Sequence, residues 1–462
     1  MRKPDLKDNA RIHMIGVGGA GMSGMAQVLS GLGYAISGSD INPGPTTERL
    51  SSMGVRIMAG HDPNHVEGAD LVISTAAVKD DNPEVRRAVE LDIPVISRAE
   101  MLGCLLTGNK GIAVAGTHGK TTTTAMLAVL LDKAGMDPTV LIGGDLDAIG
   151  GNAKLGESDY VVIEACEAFG SFLELSPSIA VVTNIEAEHL DYYGTLEGVT
   201  KAFQQFLTQV NGTSIVCIDS PNVRKLLPSI TGRVITYGES EDADIRAHEI
   251  SAGKPHPKFK ISIGGRSRGE FRLSVPGRHN VLNSLAVFGV GRQLGITSET
   301  IRESLAEFKG TGRRFEVLGT EFRVTVVDDY AHHPTEIAAT LRAARSWHKR
   351  IVAIFQPHLF SRTQMFKNEF AEALRLADEV IISEIYPARE QPIPGVSAAS
   401  ISSLINKVDP GKSRFVADKL DVAGSVISTV IPGDLVVVMG AGDIRIAAEQ
   451  ILARLKEREN LG

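Results

Sequence analysis

Nine consecutive residues, Gly116-Thr117-His118-Gly119-Lys120-Thr121-Thr122-Thr123-Thr124, combine two glycines, one lysine and a run of hydroxyls. The apolar run Ile112–Ala115 before them reads as a buried strand, and Ala125–Leu131 after them reads as a helix. A glycine turn between strand and helix aims backbone N–H groups at an anion on the helix N-terminus. Lys120 can then reach outer phosphates, and the Thr121 hydroxyl can face a phosphate-bound Mg²⁺. Ala113 and Val114 stand where a longer phosphate loop carries its first glycine, so this is the shorter G-x-x-G-K-T form. The bland alternative is a glycine turn bearing a surface lysine. The chemistry expected is ATP binding by Gly116, Thr117, His118, Gly119, Lys120, Thr121 and Thr122.

A second glycine loop, Gly16-Val17-Gly18-Gly19-Ala20-Gly21, follows the strand-like Ile12–Ile15 and precedes a helix through Ala26–Leu29. With Asp40 nineteen positions beyond Gly21 it satisfies the dinucleotide fingerprint. Alone, that pattern describes an NAD-dependent oxidoreductase. The same physics holds any pyrophosphate at a helix N-terminus and any ribose hydroxyl on an acid, and a UDP-sugar carries both groups. The loop runs on as Met22-Ser23-Gly24, which places another hydroxyl and glycine at the helix start. An ATP loop about a hundred residues later makes a nucleotide-linked substrate more economical than a nicotinamide cofactor.

Three further groups lie where open α/β sheets place chemistry, just past a strand's carboxyl end. Glu164 follows Tyr160–Ile163. The cluster Asp329-Tyr330-Ala331-His332-His333 follows a buried-looking strand, and His358 with Arg362 follows Ile351–Phe355. Forked guanidiniums at Arg313 and Arg314 suit phosphate or carboxylate recognition, although paired arginines are commonly solvated.

The elements that must position these residues alternate strand with helix, which implies a parallel-rich α/β architecture. A prior of about 150 residues per domain gives three domains in 462 residues. The expected divisions are 1–107, 108–311 and 312–462. The first holds strands at Ile12–Ile15, Tyr34–Ile36, Leu71–Ile73 and Ile93–Ile96, with a helix at Pro83–Glu90. The second adds strands at Tyr160–Ile163 and Ile179–Val182, a polar stretch from about Gly232 to Val275 read as antiparallel, and a helix after Gly277-Arg278-His279-Asn280. The third has strands at Val324–Val327, Ile351–Phe355, Glu379–Ile382 and Leu435–Met439. A net charge of −7 gives no electrostatic case for nucleic acid. Three scattered cysteines, Cys104, Cys166 and Cys217, suit a reducing compartment. No apolar run approaches the ~18 residues of a membrane span, so the expected location is the cytoplasm.

Several blocks together resemble the Mur ligases. They are His13–Gly24, Gly116–Thr124, Thr183–Asp191, Gly277–Asn283, Gly312–Glu316, Asp328–Glu336 and Phe355–His358, in that family's order across nearly the whole chain. The resemblance implies an N-terminal Rossmann-like domain for a UDP moiety, a central ATPase and a C-terminal Rossmann-like domain. It implies ATP- and Mg²⁺-dependent amide formation between the lactyl carboxylate of UDP-N-acetylmuramate and L-alanine, through an acyl phosphate, in peptidoglycan precursor synthesis. Carried over residue by residue, Lys120 contacts the β- and γ-phosphates, and Thr121, Glu164 and His189 hold metal. His279, Asn280, Asn283 and Arg314 complete the ATP site. Gly16, Gly18, Gly19, Gly21, Ser23, Gly24, Asp40, Ser74 and Thr75 bind the UDP-sugar. Tyr330, His332, His358 and Arg362 meet the amino acid. Asn280 also suits a helix cap.

Two departures stand out. The family usually runs Ala-Asp-Glu with further polar positions after its glutamate, whereas this chain has Ala165-Cys166-Glu167-Ala168-Phe169. A thiol cannot replace a carboxylate beside Mg²⁺, so a supporting role is lost or moves to Glu167. Leu359 replaces a position that is often basic. Lys201 is not assigned the carbamylated-lysine role of some sister ligases. Alternatives are a sister ligase adding a preformed peptide to the same sugar nucleotide, the oxidoreductase above, and a non-catalytic sugar-nucleotide binder.

Overall fold

Strands such as Ile351–Phe355 carry apolar residues at every position because both of their faces are covered. Successive side chains point to opposite sides of a sheet. Ile351, Ala353 and Phe355 accordingly join one buried cluster, while Val352 and Ile354 join another across the same sheet. The computed structural model describes residues 6–461 except 76, 77, 80, 254, 348, 349 and 389.

Three sheets organise the chain. The first contains β1 (Arg11–Ile15), β2 (Ala35–Asp40), β3 (Arg56–Ala59), β4 (Leu71–Ser74) and β5 (Val95–Ser97), in the order β3-β2-β1-β4-β5 and parallel throughout. The order reverses between β1 and β4, the crevice where doubly wound sheets bind ligands.

The second sheet contains β6 (Lys110–Ala115), β7 (Thr139–Leu146), β8 (Gly151–Lys154), β9 (Tyr160–Glu164), β10 (Ile179–Val182), β11 (Thr213–Cys217), β12 (Arg233–Gly238), β13 (Ile245–Ser251), β14 (Lys258–Ile263) and β15 (Arg266–Arg272). Their order is β15-β14-β13-β12-β11-β10-β6-β9-β7-β8. β6 lies between β10 and β9, both parallel to it, so three strand ends open side by side. The third sheet contains β16 (Glu316–Glu321), β17 (Val324–Asp329), β18 (Ile351–Phe355), β19 (Glu379–Ser383), β20 (Ser413–Val416) and β21 (Leu435–Met439), ordered β16-β17-β21-β18-β19-β20. Only its edge strand β16 pairs antiparallel.

Two expectations are corrected here. The stretch after Gly232 does not open antiparallel: β12 pairs parallel with both β11 and β13. The helix at Gly277–Asn280 already begins at Arg278. Asn280 therefore sits inside its first turn and donates its side-chain amide to the Pro276 carbonyl (2.7 Å) instead of acting as the cap.

Two compact units contain these sheets. One comprises the chain up to His248 with Lys260–Gly269 and Leu282–Ala306; the other comprises Glu249–Phe259, Glu270–Val281 and the chain from Glu307 onward. Among the described residues, no helix is long and apolar enough to cross a membrane.

Candidate active site

The loop after β1 is tied to the end of β2. Ser39 accepts the N–H groups of Gly16 (2.8 Å) and Val17 (3.0 Å) on its carbonyl, and Asp40 Oδ2 accepts that of Gly18 (2.9 Å). A Cβ at Gly18 would stand 2.8 Å from that carboxylate oxygen, so only glycine allows the approach. The following helix, Ala20–Gly31, starts at Gly19 with no side-chain cap and no acid in its first turn, leaving its positive end uncompensated. Arg98 adds a second positive charge there: a Cβ at Gly21 would lie 2.7 Å from its Nη1. Sequence reading missed Arg98, because nothing local in the chain connects it to Gly21. Ser74 ends β4, and Thr75 after it reaches the loop, with Cγ2 3.7 Å from the Cβ position of Gly16.

Ser23 and Gly24 pack against β8. The buried Ser23 hydroxyl donates to the Ala20 carbonyl (3.0 Å) and receives the Asn152 amide (3.1 Å), while Gly24 packs on Ala153. These contacts join the first helix to β8.

Beneath the loop, Glu84 is fully buried among imidazoles. It accepts from Ser39 Oγ (2.7 Å), His61 Nδ1 (2.8 Å) and His65 Nδ1 (2.7 Å), with His13 Nε2 at 3.4 Å. Burial alone would raise its pKa, but donors from His13, Ser39 and His65 hold the carboxyl down at about 2. No local pattern signals this network, whose members come from four separate elements and, at His61, a loop.

The second loop is shaped by the end of β10. Gly116 has φ +135°, and a Cβ there would lie 2.0 Å from Thr183 Oγ1. Thr183 donates to the His118 carbonyl (2.6 Å), and Asn184 both accepts from the His118 N–H (2.9 Å) and donates to its carbonyl (3.0 Å). Gly119, at φ +83°, starts the helix Lys120–Lys133 and touches Asn283: a Cβ would stand 2.5 Å from Asn283 Oδ1. Asn283 is thus placed beside the loop. His118 Nε2 lies 3.2 Å from Glu186. Thr121 is buried at the helix start, and Thr122 is half-buried.

Lys120 bends back over its own loop. Its Nζ donates to the carbonyls of Gly116 and Thr117 and to Glu167 Oε2 (2.8 Å) and Oε1 (3.1 Å). Burial would lower the ammonium pKa, but the neighbouring Glu167 carboxylate holds it above the ordinary lysine value. Glu164 is the last residue of β9, in register with Val114 of β6, and accepts the Gly143 N–H (2.6 Å). His189 adopts a left-handed conformation (φ +54°) at the start of a short helix, Leu190–Tyr193. Cys166 is a half-buried thiol whose pKa desolvation pushes up, which fits a neutral group.

In the other unit, the buried Asp329 ends β17. It accepts from the Phe315 N–H (3.1 Å), the Ala331 N–H (2.8 Å) and Thr340 Oγ1 (3.0 Å), and burial raises its pKa to about 6. The following turn brings Tyr330, His332, His358 and Arg362 together. The His332 ring lies 5.3 Å from Tyr330 and 6.1 Å from His358, and Arg362 Nη1 is 3.1 Å from His358 Nδ1. Arg313 and Arg314 both stack on Tyr330, at 4.9 and 5.0 Å. Arg313 donates from Nη2 to the carbonyls of both Gly440 and Gly442. His279 folds over Gly277, whose Cβ position is 2.4 Å from its Cε1, and burial lowers its pKa to about 4.

Three family models match in succession: "Mur ligase family, catalytic domain" over residues 11–110, "Mur ligase middle domain" over 114–291, and "Mur ligase, glutamate ligase domain" over 313–442. The chain belongs to the Mur ligase family. This Mur ligase is 47% identical over 450 residues to the UDP-N-acetylmuramate–L-alanine ligase of Geotalea daltonii, covering 97% of this chain and 98% of that one. It is 48% identical over 438 residues to the enzyme of the same name from Solidesulfovibrio magneticus, covering 94% and 96%. The solved UDP-N-acetylmuramate–alanine ligase of Thermotoga maritima superposes with a TM-score of 0.84 at 32% identity, covering 97% and 99%.

Proposed function

We propose that this Mur ligase joins L-alanine to the lactyl carboxylate of UDP-N-acetylmuramate at the expense of ATP, in the cytoplasm, for peptidoglycan precursor synthesis. The observation that carries the reading is the phosphate loop Gly116–Lys120 opening beside Glu164 at the ends of adjacent strands β6 and β9. Likeness over nearly the full length to ligases of that name supports the choice of substrates. We place the domain divisions at 107/108 and 311/312.

A carboxylate is a poor electrophile. One of its oxygens attacks the γ-phosphorus of ATP, forming an acyl phosphate and releasing ADP. The alanine amine then attacks the carbonyl carbon and expels inorganic phosphate. The loop N–H groups and Lys120 hold the transferring phosphoryl group. Asn283, with His279, Asn280 and Arg314, serves the nucleotide. Gly16, Gly18, Gly19, Gly21, Asp40, Ser74 and Thr75 hold the UDP moiety.

The oxygen donors Thr121 and Glu164 fit a hard cation such as Mg²⁺, with His189 as the expected third ligand. When bound, Mg²⁺ supplies charge neutralisation between the carboxylate and the γ-phosphate. Arg362 donates to His358 Nδ1, so His358 presents Nε2–H as a donor. His332 Nδ1 lies 2.9 Å from the Tyr330 carbonyl and must donate to it, which makes Nε2 the basic nitrogen. We therefore assign the amine proton to His332, with Tyr330, His358 and Arg362 around the amino acid. Replacing His332 by Asn is expected to lower kcat by about 10²-fold or more.

The reading is tested by ADP release from Mg²⁺ATP and UDP-N-acetylmuramate, with L-alanine, glycine, L-serine or a tripeptide as acceptor. Release that needs both substrates and is fastest with L-alanine supports it. Preference for the tripeptide reassigns the chain to a sister ligase.

A further inference from the structure

An ammonium group has three N–H donors and no acceptor. On Lys120 all three directions are spent, on the Gly116 carbonyl, the Thr117 carbonyl and the Glu167 carboxylate. Glu167 is 1% exposed, so this is a buried ion pair, and neither charge can lose its partner without replacement. The loop lysine therefore cannot donate to a phosphate oxygen in this arrangement unless one bond is exchanged. The carbonyls are neutral and belong to the loop itself. The carboxylate is the partner that carries the same charge as a phosphate and competes with it.

The backbone around Glu167 is held firmly. Its carbonyl accepts from the Tyr193 hydroxyl and from the Gly170 N–H (3.0 Å). Phe169 (φ +55°) and Gly170 (φ +69°) then take two successive left-handed conformations, which turn the chain sharply after Glu167. For a non-glycine residue such as Phe169 this conformation is strained, and the surrounding packing must impose it. Cys166, a neutral thiol, cannot share the lysine's charge. Glu164, the next carboxylate, is engaged by the Gly143 N–H.

We propose that Glu167 is a positioning residue that acts as the internal counter-ion of the phosphate loop. It holds Lys120 in place of a phosphate while the site is empty, yields it to ATP, and reclaims it as ADP leaves. This rests on the reading that Lys120 meets the phosphates of ATP. The pair keeps the buried ammonium neutralised between turnovers. It also lowers affinity for ADP, because binding must break an existing ion pair.

The test is calorimetric titration of ADP and steady-state kinetics on the full-length protein and on Glu167→Gln, which removes the charge and keeps the shape. The expected result is ADP binding about tenfold tighter, with KM for ATP and kcat both lowered because product leaves more slowly. Structural damage would instead raise KM. If Glu167→Gln does not fold, Tyr193→Phe decides: it leaves both charges in place and loosens the segment that carries Glu167. Its expected effect is ADP binding about two- to threefold tighter. Unchanged or weaker ADP binding in the variant that folds overturns the inference. No ADP binding by the unaltered protein overturns the loop reading beneath it instead.

Discussion

Titratable side chains with displaced pKa values shape the response of this protein to acid, and their directions differ. Glu84 is depressed to about 2 from an ordinary value near 4.5, so its stabilisation is complete above pH 4.5 and is lost as pH falls toward 2. His279 is depressed to about 4 from 6.5, so the unfolded chain takes a proton that the folded chain refuses, and stability is lost as pH falls from 6.5 to 4. Asp329 is raised to about 6 from 3.8, and its contribution falls as pH rises across that window, opposing His279. The Glu84 effect is therefore best isolated below pH 4.5. Replacing Glu84 by Gln is expected to cost about 2 kcal/mol at neutral pH and to flatten the loss between pH 4.5 and 2, measured by urea unfolding. At this scale the sequence was partly legible. Lys120, Glu164, Asn283 and His332 are findable because each sits at a fixed offset from a glycine turn or a strand end. Glu167, Arg98 and Glu84 act on residues 47, 77 and 45 positions away at Lys120, Gly21 and Ser39, and no local pattern reports such pairs.

Among the elements, the loop Gly116–Gly119 depends on the turn that follows β10. Replacing Asn184 by Ala removes both side-chain bonds to His118 and is expected to raise KM for ATP about tenfold, with UDP-sugar binding unchanged. Replacing Gly119 by Ala puts a Cβ at φ +83° against Asn283 and is expected to abolish ATP-dependent turnover, again sparing UDP-sugar binding by titration. Strands buried on both faces, such as Ile179–Val182, Ile351–Phe355 and Leu435–Met439, were readable to the residue, as was the helix Pro83–Glu90. The strands after Gly232 mix charged and apolar positions. The parallel pairing of β12 with β11 and β13 leaves no mark in such a pattern, so the antiparallel reading does not hold where the stretch opens.

Across the whole molecule, three consecutive family matches and three sheets accompany three substrates. An acyl phosphate hydrolyses if water reaches it, so the amine must be the last reactant to arrive. Binding is expected to be ordered, with ATP first and L-alanine last; equal rates of complex formation in every order of addition would contradict this. The central claim is that ATP activates the sugar carboxylate by phosphoryl transfer, and oxygen exchange tests it most directly. With both lactyl carboxylate oxygens of UDP-N-acetylmuramate labelled with ¹⁸O, the account predicts one labelled oxygen in the inorganic phosphate and the other in the amide product. Label in AMP, or phosphate free of label while amide forms, would contradict it.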